Sequence, residues 1–103
     1  MKIVKFRTSS NDKAIVETIS HFLIVKKFAV SVHIKEVKSE YIWNGKVYAC
    51  TEYEMEGLTN AENVDNCYNT IKKLHNYEVP EFIYERINCS DDIYDWLNKE
   101  INK

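Results

Sequence analysis

The stretch SEYIWNGK, Ser39–Lys46, decides how the middle of this 103-residue chain folds. Its Asn44-Gly45 pair is a strong signal for a type I′ hairpin turn, because both residues tolerate a positive φ. β-Forming side chains flank the turn on both sides, so the sequence predicts one long hairpin within residues 28–58. We expect this hairpin to extend beyond what the helices of so small a chain can cover.

The apolar positions of the first hairpin strand change sides part-way along it. Val32 and Ile34 alternate with polar residues, but further along the apolar phase moves to Val37 and Trp43. Such a change is typical of a β-bulge, in which one strand carries an extra residue. We therefore expect a bulge or bend near residues 35–36.

The segments on either side of the hairpin predict two more strands and three helices. In chain order, the predicted elements are a strand over 2–7, a helix over 15–23, the hairpin, a helix over 61–74, a strand over 81–87 and a helix after Ser90. The cluster Thr8–Asp12 supplies N-cap residues for the first helix, and the capping-box pattern Thr59-x-x-Glu62 precedes the second. We predict an α+β fold: a ferredoxin-like βαββαβ sandwich with a long hairpin of its second and third strands and an extra C-terminal helix, in one domain over 1–103.

Composition and charge argue against several classes of function. The net charge is −2, with 14 basic and 16 acidic residues interspersed, so the basic surplus of a nucleic-acid-binding protein is missing. The longest apolar run, Phe22–Val25, is too short to span a bilayer. The first residues predict a strand and lack the apolar segment of a signal peptide. We expect neither nucleic acid nor membrane as a partner.

Cysteine usage predicts a reducing compartment and gives no support for catalysis. The three cysteines, Cys50, Cys67 and Cys89, are odd in number and widely spaced, which argues against a disulfide framework and favours the cytoplasm. Neither Cys50 nor Cys67 has an adjacent histidine to lower its pKa. Only two glycines are present, and no phosphate-binding or nucleophile motif occurs. We therefore expect a binding protein and not an enzyme.

Two histidines are candidate metal ligands. His75 lies close in sequence to Glu81, and imidazole with carboxylate suits Cu²⁺ or another divalent cation. The alternative is a helix-terminal histidine that caps carbonyls or lies at a subunit contact. His33 would face Glu56 if the turn set the register without a bulge. That pair is compatible with a solvated cross-strand ion pair or with a shared metal site.

Aromatic residues form a third candidate set: Tyr41, Trp43, Tyr48, Tyr53, Tyr94 and Trp96. Aromatic side chains concentrate at interfaces because they bury a large area while a polar tip keeps a partner. A subunit contact or the lining of a cleft is one interpretation. A stacking platform for a nucleotide is the other, although basic residues between the rings would then be expected.

Two segments of the chain resemble the CutA family of divalent-cation tolerance proteins. Ser39–Lys46 is similar to the family's S-x-Y-x-W-x-G-K hairpin, and Glu52 matches the glutamate of the following strand. Residues 74–81, LHNYEVPE, are similar to its H-P-Y-E-V-P-E motif. The segment Tyr94-x-Trp96-Leu97 resembles the family's Y-x-x-W-L ending, and the resemblance covers essentially the whole chain.

The resemblance implies a homotrimer that responds to divalent metals, copper above all. Sheets of three subunits would meet edge to edge, which would also cover the exposed edge of the long hairpin. The resemblance places a cleft or interface between subunits at Tyr41, Trp43, Glu52, Tyr77, Tyr94 and Trp96. Two departures stand out: Ser31 replaces the family's cysteine, a soft metal ligand, and Asn76 replaces a proline. The alternative is a PII-like signalling module that binds a small anionic metabolite between subunits.

Overall fold

A computed structural model describes residues 1–103 as four strands, three helices and one short 3₁₀ turn. The elements are β1 (Lys2–Ser10), α1 (Lys13–Val25), β2 (Ser31–Trp43), β3 (Lys46–Thr59), a 3₁₀ turn (Ala61–Asn63), α2 (Val64–Leu74), β4 (Ile83–Asn88) and α3 (Asp91–Ile101). The strands form one antiparallel sheet in the order β2-β3-β1-β4. The predicted α+β class and order of elements are confirmed, and the strand order is compatible with a ferredoxin-like plan. None of the helices is both long and apolar enough to cross a membrane.

The long hairpin is present and turns where the sequence predicts. Asn44 and Gly45 adopt φ values of 51° and 75°, as a type I′ turn requires. Pairing between β2 and β3 then runs without interruption from Trp43–Lys46 to Ser31–Leu58. This hairpin makes the molecule 44 Å long, although its other dimensions are only 24 and 21 Å.

The predicted bulge near residues 35–36 is wrong, because every residue of β2 has one partner on β3. The apolar positions change sides because the part of the chain that packs against the hairpin changes along its length. Ile34 lies opposite Met55, a member of the core beneath α1 and α2. Val37 lies opposite Glu52, on the other face of the sheet, where residues 76–81 cover it. Packing by different segments on the two faces thus produces the same change of apolar positions that a bulge would produce.

The main core lies between α1, α2 and one face of the sheet. Its buried members are Phe6, Val16, Ile19, Leu23, Ala29, Met55, Cys67 and Ile71. Helix α1 contributes one side chain per turn, the spacing of a single helical face. Gly57 lies directly opposite Phe6 in the sheet, and a Cβ atom at residue 57 would collide with the Phe6 ring. The absence of a side chain on Gly57 therefore gives Phe6 its place in the core.

The helix caps agree with the sequence at two helices and differ at the third. The Asp12 side chain caps α1, and the Ser90 side chain caps α3. The capping box that begins at Thr59 does not form, because Asn60 caps the 3₁₀ turn instead. Thr59 is the last residue of β3, and its hydroxyl donates to the Phe28 carbonyl at 2.5 Å. A strand residue whose side chain faces the core is not free to cap the helix that follows.

We expect Gly57→Ala to lower the free energy of unfolding by about 1–3 kcal/mol, because the added methyl group overpacks the Phe6 ring. Urea unfolding checks this value. Thr51→Ala, at an exposed residue further along the same strand, is the control and should stay within about 0.5 kcal/mol of the parent. Equal stability of the two variants would contradict the assigned packing.

Candidate functional site

A cleft of about 700 Å³ lies on the sheet face opposite α1 and α2. Its walls are β1, β2, β3 and residues 76–81, which follow α2. The residues that β1 and β3 contribute are alternate ones, since side chains on a strand alternate between faces, whereas β2 lines the cleft with residues 37–41 and Trp43. Its lining includes aromatic side chains, one arginine and several carboxylates: Arg7, Tyr41, Trp43, Glu52, Glu54, Tyr77, Glu78 and Glu81.

Glu52 forms the buried floor of this cleft. Its side chain is only 5% exposed, and its Oε2 atom accepts a hydrogen bond of 2.7 Å from the Tyr77 hydroxyl. That hydroxyl also accepts a hydrogen bond of 2.9 Å from the backbone N–H of Asn11. Burial, followed by the hydrogen bond to Glu52, raises the pKa of Tyr77 well above its ordinary value. Tyr77 therefore keeps its proton and donates a hydrogen bond to the carboxylate.

His75 holds the start of the 76–81 segment against the end of β1. Its Nδ1 atom accepts a hydrogen bond of 3.0 Å from the Tyr77 backbone N–H, so the ring proton must be on Nε2. Nε2 then donates to the Ser9 carbonyl at 2.8 Å. Both ring nitrogens thus hold hydrogen bonds within the chain, one with a carbonyl of β1 and one with the backbone N–H of Tyr77.

Asn76 adds two further hydrogen bonds at the same place. Its Oδ1 atom accepts from the Ser10 hydroxyl at 2.5 Å, and its Nδ2 atom donates to Asn11 Oδ1 at 2.9 Å. A proline, which the resembled motif carries at this position, has no side-chain donor or acceptor. The Asn76 side chain thus attaches the segment 76–81 to the β1–α1 connection through hydrogen bonds that a proline could not make.

The four candidate metal ligands do not form one group. His33 lies opposite Glu56, as an uninterrupted register predicts. Glu81 instead pairs with Arg7, whose Nε atom lies 3.4 Å from Glu81 Oε1. Nowhere in the chain do three histidine, cysteine, aspartate or glutamate side chains converge as a metal centre requires. A closed metal centre therefore does not fit within one chain.

The six candidate cleft residues divide into two groups. Four line the cleft together: Tyr41, Trp43, Glu52 and Tyr77. Tyr94 and Trp96 belong to α3 and do not line it. Tyr41 stacks on Tyr48 with ring centroids 5.6 Å apart. Desolvation, followed by the nearby thiol of Cys50 and carboxylate of Glu52, raises the pKa of Tyr41.

Arg7 is a charged cleft residue that sequence reasoning missed. It lies on β1 opposite Glu56, and its Nε atom is buried beside Glu81 without a well-directed hydrogen bond. The signal that could have found it is the alternation of Phe6 and Arg7, because a strand that buries Phe6 must turn Arg7 to the other face.

The fold and the cleft define a class of small α+β proteins with a four-stranded antiparallel sheet, a long central hairpin and a ligand-sized cleft on the face away from the first two helices. The family model described as CutA1 divalent ion tolerance protein matches residues 4–100. The chain therefore belongs to the CutA1 divalent ion tolerance protein family.

Relatives and solved structures agree with this assignment. A divalent-cation tolerance protein CutA from Archaeoglobus fulgidus is 36% identical over 86 residues, which cover 82% of this chain and 84% of the relative. The structure of the periplasmic divalent cation tolerance protein CutA from Archaeoglobus fulgidus is similar with a TM-score of 0.90 and 26% identity, covering 98% of this chain and 99% of that chain. CutA from Xylella fastidiosa gives a TM-score of 0.89 and 28% identity, covering 96% and 97%.

We expect Tyr77→Phe to lower the free energy of unfolding by about 1–3 kcal/mol, because it leaves the Glu52 carboxylate and the Asn11 N–H without their partner. Tyr48→Phe is the matched control, since Tyr48 is 41% exposed in the same cleft. Chemical unfolding of both variants measures the difference. If Tyr77→Phe is no less stable than Tyr48→Phe, the hydrogen bonds of Tyr77 do not stabilise the cleft.

Proposed function

We propose that this chain acts as a homotrimeric divalent-cation tolerance protein that works by binding and not by catalysis, with copper as the first cation to test. Membership of the CutA1 family over residues 4–100 is the observation that carries the proposal. The PII-like alternative finds no support, because the relatives and structures compared above are CutA proteins.

A cytoplasmic location is part of the same proposal. It rests on three cysteines that are all unpaired, as a reducing compartment favours. The Archaeoglobus fulgidus structure is described as that of a periplasmic protein, so location is a property to be measured for each member.

The far end of the hairpin supports the trimer. Ile42 and Val47 lie opposite each other on the paired strands and are 73% and 70% exposed. The neighbouring rings of Tyr41, Trp43 and Tyr48 are also partly exposed. An apolar hairpin end with an unpaired strand beside it is a surface that associates with other chains unless it is covered. Three copies arranged in a ring would cover it equally in each subunit.

We expect a trimer in solution at micromolar concentration, and Ile42→Lys should shift the mass toward the monomer, because a charge would be buried in the contact. Light scattering after size exclusion measures the mass. Val25→Lys, at a residue 60% exposed on α1, is the control and should leave the mass unchanged. A monomeric parent protein would overturn the proposed assembly.

His33 and Glu56 are the better candidates for direct metal binding. His33 is exposed and Glu56 is half-buried beside it, whereas both ring nitrogens of His75 already hold hydrogen bonds. Two ligands from one subunit make a weak site, which a neighbouring subunit or water would have to complete.

We expect Cu²⁺ to bind more tightly than millimolar, and His33→Ala to weaken this binding more than His75→Ala does. Calorimetric titration with Cu²⁺ and Zn²⁺ measures both effects. His21→Ala provides the control, because His21 is an exposed histidine on α1. Binding no tighter than millimolar would exclude direct metal sensing, and equal losses in His33→Ala and His21→Ala would remove His33 from the site.

A further inference from the structure

We propose that His75 attaches the segment 76–81 to the rest of the chain only while its imidazole ring is neutral, so that acidification opens this wall of the cleft. The hydrogen bonds concerned are made within one chain, so they are in place whether or not neighbouring subunits cover the cleft. The inference is also independent of metal binding, because it does not involve the candidate ligands His33 and Glu56.

The segment 76–81 is attached by side chains and not by backbone pairing. It lies between α2 and β4, and none of the backbone–backbone hydrogen bonds outside the helices and strands involves it. Its start is held by side-chain hydrogen bonds of Asn76 and Tyr77 and by the ring of His75. Its end is held by the ion pair of Glu81. A segment without backbone pairing can leave its place while the sheet and the helices stay folded.

The two hydrogen bonds of the His75 ring require its neutral form. Nδ1 accepts from the Tyr77 N–H at 3.0 Å, and Nε2 donates to the Ser9 carbonyl at 2.8 Å. A second proton would turn Nδ1 into a donor that faces the Tyr77 N–H. Two donors repel each other, so the Tyr77 N–H would turn away, whereas the bond from Nε2 to Ser9 would persist. Imidazole rings ordinarily take up this proton between about pH 8 and 5.

The acidic side chains near His75 are not paired with its ring. On β1, the start of α1, β3, the end of α2 and the segment itself, the charged groups are Arg7, Asp12, Lys13, Glu52, Glu54, Lys72, Lys73, Glu78 and Glu81. None of the carboxylates among them lies within 4.0 Å of a His75 ring nitrogen. The Tyr77 ring, with its centroid 4.9 Å from that of His75, keeps its proton because burial raises its pKa. No ion pair would therefore hold the protonated imidazole beside the Tyr77 N–H.

The release reaches the floor of the cleft through Tyr77. Its hydroxyl joins the Asn11 N–H to the Glu52 carboxylate, so both ends of this residue take part in the attachment. When the Tyr77 N–H turns away from His75, we expect the hydroxyl to leave both of its partners. Water then reaches the Glu52 carboxylate, which is otherwise buried with one hydrogen bond. Acid would thus remove one wall of the cleft and hydrate its floor, while the sheet and the helices remain.

A pH titration of the parent protein followed by NMR tests the inference directly. The ring protons of His75 report its protonation, the Tyr77 amide reports the bond to Nδ1, and the Asn11 amide reports the bond to the Tyr77 hydroxyl. We expect both amide resonances to shift toward the positions of free amides, with the same midpoint as the His75 ring.

Three outcomes of this titration would overturn the inference. In the first, both amides keep their resonances while the ring takes up its proton. In the second, the ring stays neutral until the whole chain unfolds. In the third, the Tyr77 amide shifts alone, which would confine the release to one hydrogen bond and leave the cleft closed.

His75→Asn separates the titration from the hydrogen bond. An asparagine side chain has an acceptor that can replace Nδ1 for the Tyr77 N–H, but it takes up no proton in this range. We expect the pH-dependent shift of the Asn11 amide to disappear in this variant and to persist in His21→Asn, at an exposed histidine of α1. A shift that persists in His75→Asn would belong to another group and would remove His75 from the proposal. If His75→Asn does not fold, the midpoints measured on the parent protein still decide.

Discussion

The two-residue turn at Asn44-Gly45 fixes the register of 13 consecutive residue pairs, and the position of every side chain in the hairpin depends on it. Side chains alternate between the two faces of a sheet, so a slip of one residue would exchange the faces of an entire strand. Met55 would then leave the core, and the carboxylate of Glu54 or Glu56 would take its place beneath α1 and α2. The backbone dihedral angles of two residues therefore separate an apolar core from a charged cleft.

The same hairpin meets two different environments along its length. Near its open end, one face is covered by α1 and α2 and buries apolar side chains such as Met55. Toward its middle, the opposite face is covered by residues 76–81 and buries Glu52. Tyr77, in the segment 76–81, suits this environment because its ring excludes water while its hydroxyl donates a hydrogen bond to the Glu52 carboxylate. Polar and apolar burial are thus kept on opposite faces of the sheet.

Features that depend on neighbouring residues could be predicted from the sequence, and features that depend on distant residues could not. The hairpin turn, the Ser90 cap and the burial of Cys67 each follow from a local pattern. The prediction of a bulge was wrong because apolar positions change sides either at a bulge or where the packing moves to the other face, and only the three-dimensional structure distinguishes the two. The hydrogen bond from His75 to Ser9 spans 66 positions, so no local motif could reveal that the ring is already occupied.

Sequence separation also sets the order in which this molecule can assemble. The turn joins adjacent residues, so the hairpin can form early and with little loss of chain entropy. The bonds from Ser10 and Asn11 to Asn76 and Tyr77 close loops of 65 or 66 residues, and the bond between Tyr77 and Glu52 spans 25. The cleft comes into existence only when β1, the hairpin and the segment 76–81 are all in place. A partly folded chain can carry the complete hairpin and still have no binding site, and a molecule bound in the cleft would stabilise only the fully folded state.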